Sequence, residues 1–142
     1  MAKVTSLGGI FFKANDPKAQ NEWYRTHLGI QSGDYGTSFV WRKNAHPEQN
    51  GYTIWSPFKN TTEYFAPSQK EFMINFRVDD LDALLAQLKE QGIEQIGEAQ
   101  NYEYGRFAWI MDPEGNKIEL WGPIDEEYDK MLDKNDITGA DS

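Results

Sequence analysis

Apolar residues alternate with polar or small ones from Leu7 to Lys13 and again from Phe72 to Val78, and each run leads into an aspartate followed by a helix-like segment. LGGIFFKANDPKAQNEWYRTHLGI, from Leu7, and FMINFRVDDLDALLAQLKEQGI, from Phe72, share one order: strand, Asp, helix, Gly-Ile. Asp16 before Pro17 predicts an N-cap and a first helical residue, and Asp80 takes the same part in the second copy. Gly29 and Gly92 are the matching helix stops. The repeat continues, with GTSFVWRKN and GYTIWSPF answering GRFAWIMDPEGNKIELWGP. That alignment sets Gly36 against Gly105, Thr53 against Glu119, Trp55 against Trp121 and Pro57 against Pro123. The predicted fold is α+β, two tandem β-α-β-β-β modules over about residues 6–58 and 71–123, in a single domain spanning 1–123.

Between the modules, KNTTEYFAPSQK (Lys59 to Lys70) reads as a linker, although Tyr64 and Phe65 suggest that it packs or reaches into a site. Asp112-Pro113-Glu114-Gly115-Asn116 predicts a tight turn joining two strands, with proline presetting one residue and Gly-Asn supplying positive φ. Residues 124–142 form an acidic C-terminal tail, predicted to make a helical turn or two up to about Lys134 and to fray over NDITGADS.

Charge and composition narrow the function. The chain has a net charge of −9, of which the tail carries −5 and the body −4. That balance argues against nucleic acid, which needs a basic surface. The absence of cysteine removes disulfides, thiolate nucleophiles, cysteine-ligated zinc and iron–sulfur clusters. No apolar window reaches the length of a membrane span and the N-terminus lacks the pattern of a secretory signal, so the expectation is a cytoplasmic protein without membrane contact. There is no G-x-S-x-G turn and no glycine-rich phosphate loop. Aromatic residues make up 14% of the chain, enough to build both a core and a ligand site.

The doubled module, the strand-Asp-helix starts and GRFAWIMDPEGNKIELWGP together resemble the glyoxalase, bleomycin-resistance and extradiol-dioxygenase proteins, the vicinal oxygen chelate superfamily. The resemblance covers about Ser6 to Pro123. It implies modules whose strands curve as one sheet around a cleft, a homodimer, and in the enzymes a divalent metal in that cleft. The metal positions implied by the family fall on Gly9, Thr53, Met73 and Glu119. One carboxylate among four is too few for a catalytic ion, which wants at least three donor side chains. The expectation is therefore a binding protein of the glyoxalase or bleomycin-resistance type without metal or other cofactor, its ligand a small organic molecule, aromatic or cationic. A metal-dependent lyase or dioxygenase of the same superfamily is the alternative.

Alternation along the strands assigns the faces. Ile74, Phe76, Val78, Ile118 and Leu120 should cover the second helix, leaving Met73, Asn75, Arg77, Glu119 and Trp121 for the cleft. In the first module Ile10, Phe12, Tyr52 and Ile54 should face the helix, and Gly9, Phe11, Lys13, Thr53 and Trp55 the cleft. Glu119 is the leading candidate, because a carboxylate between Ile118 and Leu120 should be partly desolvated, the setting in which it becomes a useful acid, base or ligand contact. Its structural alternative is a partner of Arg77 or Arg106. Trp55 and Trp121 should flank the cleft and stack on a flat or cationic ligand, with core packing as the rival account. Tyr102, Tyr104 and Arg106 are weaker candidates for its lining. His27 and His46 read as a solvated helix end and a loop residue, and Trp23 and Tyr24 as core or dimer contacts.

Overall fold

The computed structural model describes residues 1–135. Strand β1 (Val4–Ala14), helix α1 (Pro17–Leu28), β2 (Thr37–Arg42) and β3 (Asn50–Lys59) make the first module. Strand β4 (Phe72–Val78), helix α2 (Leu81–Glu90), β5 (Gln100–Tyr102), β6 (Gly105–Met111) and β7 (Lys117–Pro123) make the second, and helix α3 (Asp125–Asn135) follows. The first module keeps only a single bridge, Gly33 to Gly36, where the second has strand β5.

Both long helices start where the aspartates predict. The Asp16 carboxylate accepts from Ala19 N at 3.1 Å and that of Asp80 from Ala83 N at 3.1 Å, each cap contributing about 1 kcal/mol. The Asp112 turn is tied by the same chemistry, its carboxylate accepting from the backbone of Glu114 and Asn116 while Gly115 takes a φ of 82°.

The seven strands form one curved, unclosed sheet in the order β2-β3-β1-β4-β7-β6-β5. In each module the first strand runs parallel to the last, and the modules join through antiparallel pairing of β1 with β4. One core lies against α2, where Val78, Leu81, Ala108 and Leu120 pack with Phe76 and Ile118. The other lies on the concave side, with Phe11, Met73, Phe107, Trp109 and Trp121 packed beneath Tyr52, Phe65, Tyr128 and Leu132.

Register corrects the alignment of the first module. Asn75 pairs with Glu119 and Arg77 with Trp121. The residues equally far before the other N-cap, Phe11 and Lys13, pair with Ser56 and Phe58. Ser56 and Phe58, not Thr53 and Trp55, therefore hold the places of Glu119 and Trp121. A slip by an odd number of residues turns a strand's other face to the cleft. Trp55 accordingly packs on Phe12 and on Tyr24 of α1, with ring centroids 5.3 and 4.6 Å apart, while Tyr52 and Ile54 face inward. Thr53 is structural: its hydroxyl donates to Leu7 O at 2.8 Å and accepts from the Trp41 indole at 2.9 Å.

The segment after Pro123 is more than a turn or two. Helix α3 lays Tyr128 and Leu132 into the concave core and ties its polar side to the first module, through Tyr128 with Ser38, and Asp129 with Tyr52 and Asn50. Residues 136–142, most of NDITGADS, lie outside the described part.

Candidate functional site

Two segments fill the ends of the concave face, the 60–71 connector with Phe65 and α3 with Tyr128 and Leu132. Between them remains a pocket of about 270 Å3 lined by Phe11, Ile54, Phe58, Tyr64, Asn75, Tyr102, Tyr104, Phe107 and Glu119. Its walls are aromatic rings, with Tyr102 stacked on Tyr104 at 5.6 Å and Phe11 tilted against Phe58 at 5.4 Å.

Glu119 forms the polar floor. Only 2% of it is exposed, and a carboxylate so placed must find donors or it would be costly to bury. One oxygen accepts from Asn75 Nδ2 at 2.7 Å; the other accepts from the Trp109 indole at 2.9 Å and from the Tyr64 hydroxyl. Neither Arg77 nor Arg106 is its partner: Arg77 pairs with Asp125, and Arg106 with Asp82 at 3.0 Å. The other amide atom of Asn75, Oδ1, has no partner and lies over Gly8, where a Cβ would collide with it.

Tyr64 reaches the floor from the connector and is held at two points. Lys117, two residues before Glu119 on the same face of β7, donates to Tyr64 O at 2.7 Å, with its ammonium over the Tyr64 and Trp109 rings. Ser68 fixes the connector further on, donating to Gly115 O at 2.7 Å. Burial, then the charge of Glu119 and the hydrogen bond to it, push the Tyr64 phenol far above its ordinary value, so it stays a donor. Burial lowers the Lys117 ammonium, with Glu119 opposing. Tyr104 at the rim is raised, chiefly by burial.

Of the predicted site residues, Phe11, Asn75 and Glu119 meet in this pocket. Trp121 stands behind it, stacked on Phe107 at 5.6 Å, and Met73 is fully buried in the same core. Arg77 is elsewhere, clamped between Trp41 and Trp121 at 5.1 and 5.2 Å. Thr53 and Trp55 are on the other face of the sheet. Lys13 and Arg106 do not line the pocket, whereas Tyr102 and Tyr104 do. Sequence alternation leaves out Lys117, although it shares a face with Glu119, as well as Phe58 and Phe107, and it sends Ile54 to the helix face when Ile54 lines the pocket. For Tyr64 the sequence predicts only that the linker packs or reaches into a site, and the structure brings its hydroxyl to Glu119.

A sequence model of the glyoxalase-like domain matches residues 9–121, most of both modules. The chain belongs to the glyoxalase-like domain family. With it comes the vicinal oxygen chelate superfamily, whose solved members share this fold. Methylmalonyl-CoA epimerase of Streptomyces coelicolor, in complex with 2-nitronate-propionyl-CoA, is 17% identical, with 86% of this chain and 99% of that chain covered and a TM-score of 0.62. The epimerase of Mycobacterium tuberculosis is 21% identical over 89% of this chain and 93% of that one, with a TM-score of 0.58. A catechol 2,3-dioxygenase is 22% identical over 90% of this chain and 42% of that one, with a TM-score of 0.54. A search of curated proteins finds no match.

The divalent ion of the glyoxalase-like enzymes can be tested against the donors present. Gly9 has no side chain and is covered by the Phe11 ring, Met73 offers a buried thioether, and Thr53 is on the wrong face. Ser56, in the place that register gives, donates its hydroxyl to Tyr35 O. Both oxygens of Glu119 are already hydrogen-bonded, and no group of three metal-ligating side chains occurs among the described residues. A single carboxylate engaged by three donors does not fit a hard divalent cation.

Proposed function

We propose that this glyoxalase-like protein binds a compact aromatic molecule carrying a hydrogen-bond donor, with its ring between Phe11, Phe58, Tyr104 and Phe107 and its donor on Glu119. The observation that carries the reading is a buried carboxylate at the floor of a mostly aromatic pocket, with one of its three donors, Tyr64, coming from a connector rather than from the sheet. A ligand amine or hydroxyl can take over the bond that Tyr64 makes, while Asn75 and Trp109 stay in place. The volume of about 270 Å3 is just under the ~300 Å3 at which pockets for drug-sized ligands begin, so a single ring with short substituents fits. Aromatic walls contribute through their faces and edges, by about 1 kcal/mol per ring pair beyond area burial. The donor set puts the work into binding and gives metal-assisted turnover no foothold.

A calorimetric screen of phenols, anilines and benzylamines, each against its methyl analogue without the donor, tests this. Saturable binding is expected for donors only, and Ile54→Trp, which fills the pocket from β3, should weaken it by about tenfold or more. Equal binding of the methyl analogues, or binding unchanged by Ile54→Trp, would refute the proposal.

A further inference from the structure

A second cavity, of about 820 Å3, shares no lining residue with the aromatic pocket. Its floor is an ion cluster with an excess of positive charge. Arg77, whose side chain is 4% exposed, grips Asp125 with two hydrogen bonds, Nη1 to Oδ1 at 3.0 Å and Nη2 to Oδ2 at 2.7 Å. Lys43 adds a second cation to the same carboxylate at 2.8 Å. Two cations thus share one anion, and the indoles of Trp41 and Trp121 flank the guanidinium where water would otherwise screen it.

The remaining lining does not cancel that charge. Asp79 is the other carboxylate of the lining and accepts from Lys3 N at 2.9 Å, and Arg42, also of the lining, brings a third cation against these two carboxylates. Lys43 spends one further donor on Gln49 at 3.2 Å and keeps a third. Ser6 is another residue of the same lining, and its hydroxyl is buried with no hydrogen-bond partner. A buried hydroxyl left unpaired is costly, so one cavity wall carries both a hydroxyl without a partner and a cation with a donor to spare.

We propose that this cavity is a second ligand site, independent of the pocket over Glu119, that takes the oxyanion of a small molecule on Lys43 and Ser6. Carboxylate and phosphate share the chemistry needed: negative charge for the excess cation, and acceptor oxygens for the ammonium and the hydroxyl. Arg77 and Asp125 position Lys43 and supply the field without touching the ligand.

The test is two-dimensional NMR of the full-length protein titrated separately with acetate, benzoate and inorganic phosphate, against sodium chloride at equal ionic strength. Saturable shifts are expected at the Trp41 indole and at the Ser6 and Lys43 amides, and the better series identifies the source as carboxylate or phosphate. Lys43→Gln should weaken the binding by about threefold to tenfold and Lys43→Arg should retain it, as a charge-assisted contact in a half-open site requires. Ser6→Ala, which leaves the ion cluster intact, should also weaken it. Shifts that chloride reproduces, no shift with any of the three anions, or unchanged affinity in both Lys43→Gln and Ser6→Ala would each overturn the proposal.

Discussion

Tyr64 shows how one side chain can serve a site without belonging to its scaffold. Its hydroxyl donates to Glu119 and its carbonyl accepts from Lys117, so the two polar residues of KIE on β7 hold the connector across the cleft. Tyr64→Phe deletes one donor of three, and the expected cost is about 1 kcal/mol at neutral pH. The phenol is raised in the folded state, so its contribution is complete below the ordinary value of 10.0 and is lost as pH climbs beyond it, because the unfolded chain ionises first. Urea unfolding should therefore show wild type ahead of Tyr64→Phe at pH 7 and the gap closing in alkali. A gap that is constant with pH would mean that Tyr64 is not bonded to Glu119 through its proton.

At the scale of elements, helix α3 deserves comparison with an ordinary acidic tail. Its first-turn carboxylates suit the positive end of the helix dipole, and one of them, Asp125, is also the anchor to the sheet. Burial works against that charge, but the hydrogen bonds and charges of Arg77 and Lys43 outweigh it, so Asp125 sits below its ordinary value of 3.8. Its stabilisation is present above that value and disappears as pH falls through the lower, folded one. Asp125→Asn leaves a buried guanidinium short of its counter-charge and should cost about 3 kcal/mol at neutral pH. Thermal unfolding of the two proteins should converge in acid below 3.8, and persistence of the difference there would point to packing rather than charge.

For the whole molecule, the sheet is continuous through β1 and β4, and α3 of the second module's end packs on strands of the first. The modules should unfold as one unit, with far-ultraviolet dichroism and tryptophan fluorescence giving coincident transitions; two separated transitions would show independent halves. The repeat, the two N-caps, the hairpin turn and the faces of β4 and β7 were all legible in the sequence, because capping, turn chemistry and strand alternation act between near neighbours. So was Glu119, a lone carboxylate inside an apolar strand. The position of β3 was not, since its alignment to β7 by shared Trp and Pro is a likeness of letters, while the true match of Ser56 to Glu119 is set by hydrogen-bond register with β1. Tyr64, Lys43 and Asp125 come to their sites from segments distant in the chain: Tyr64 lies 55 residues from Glu119, and Asp125 lies 48 from Arg77. Local pattern thus determined the elements and the carboxylate; which donors surround that carboxylate, and which cations gather on Asp125, were decided only when the sheet curved and brought a connector and a terminal helix across it.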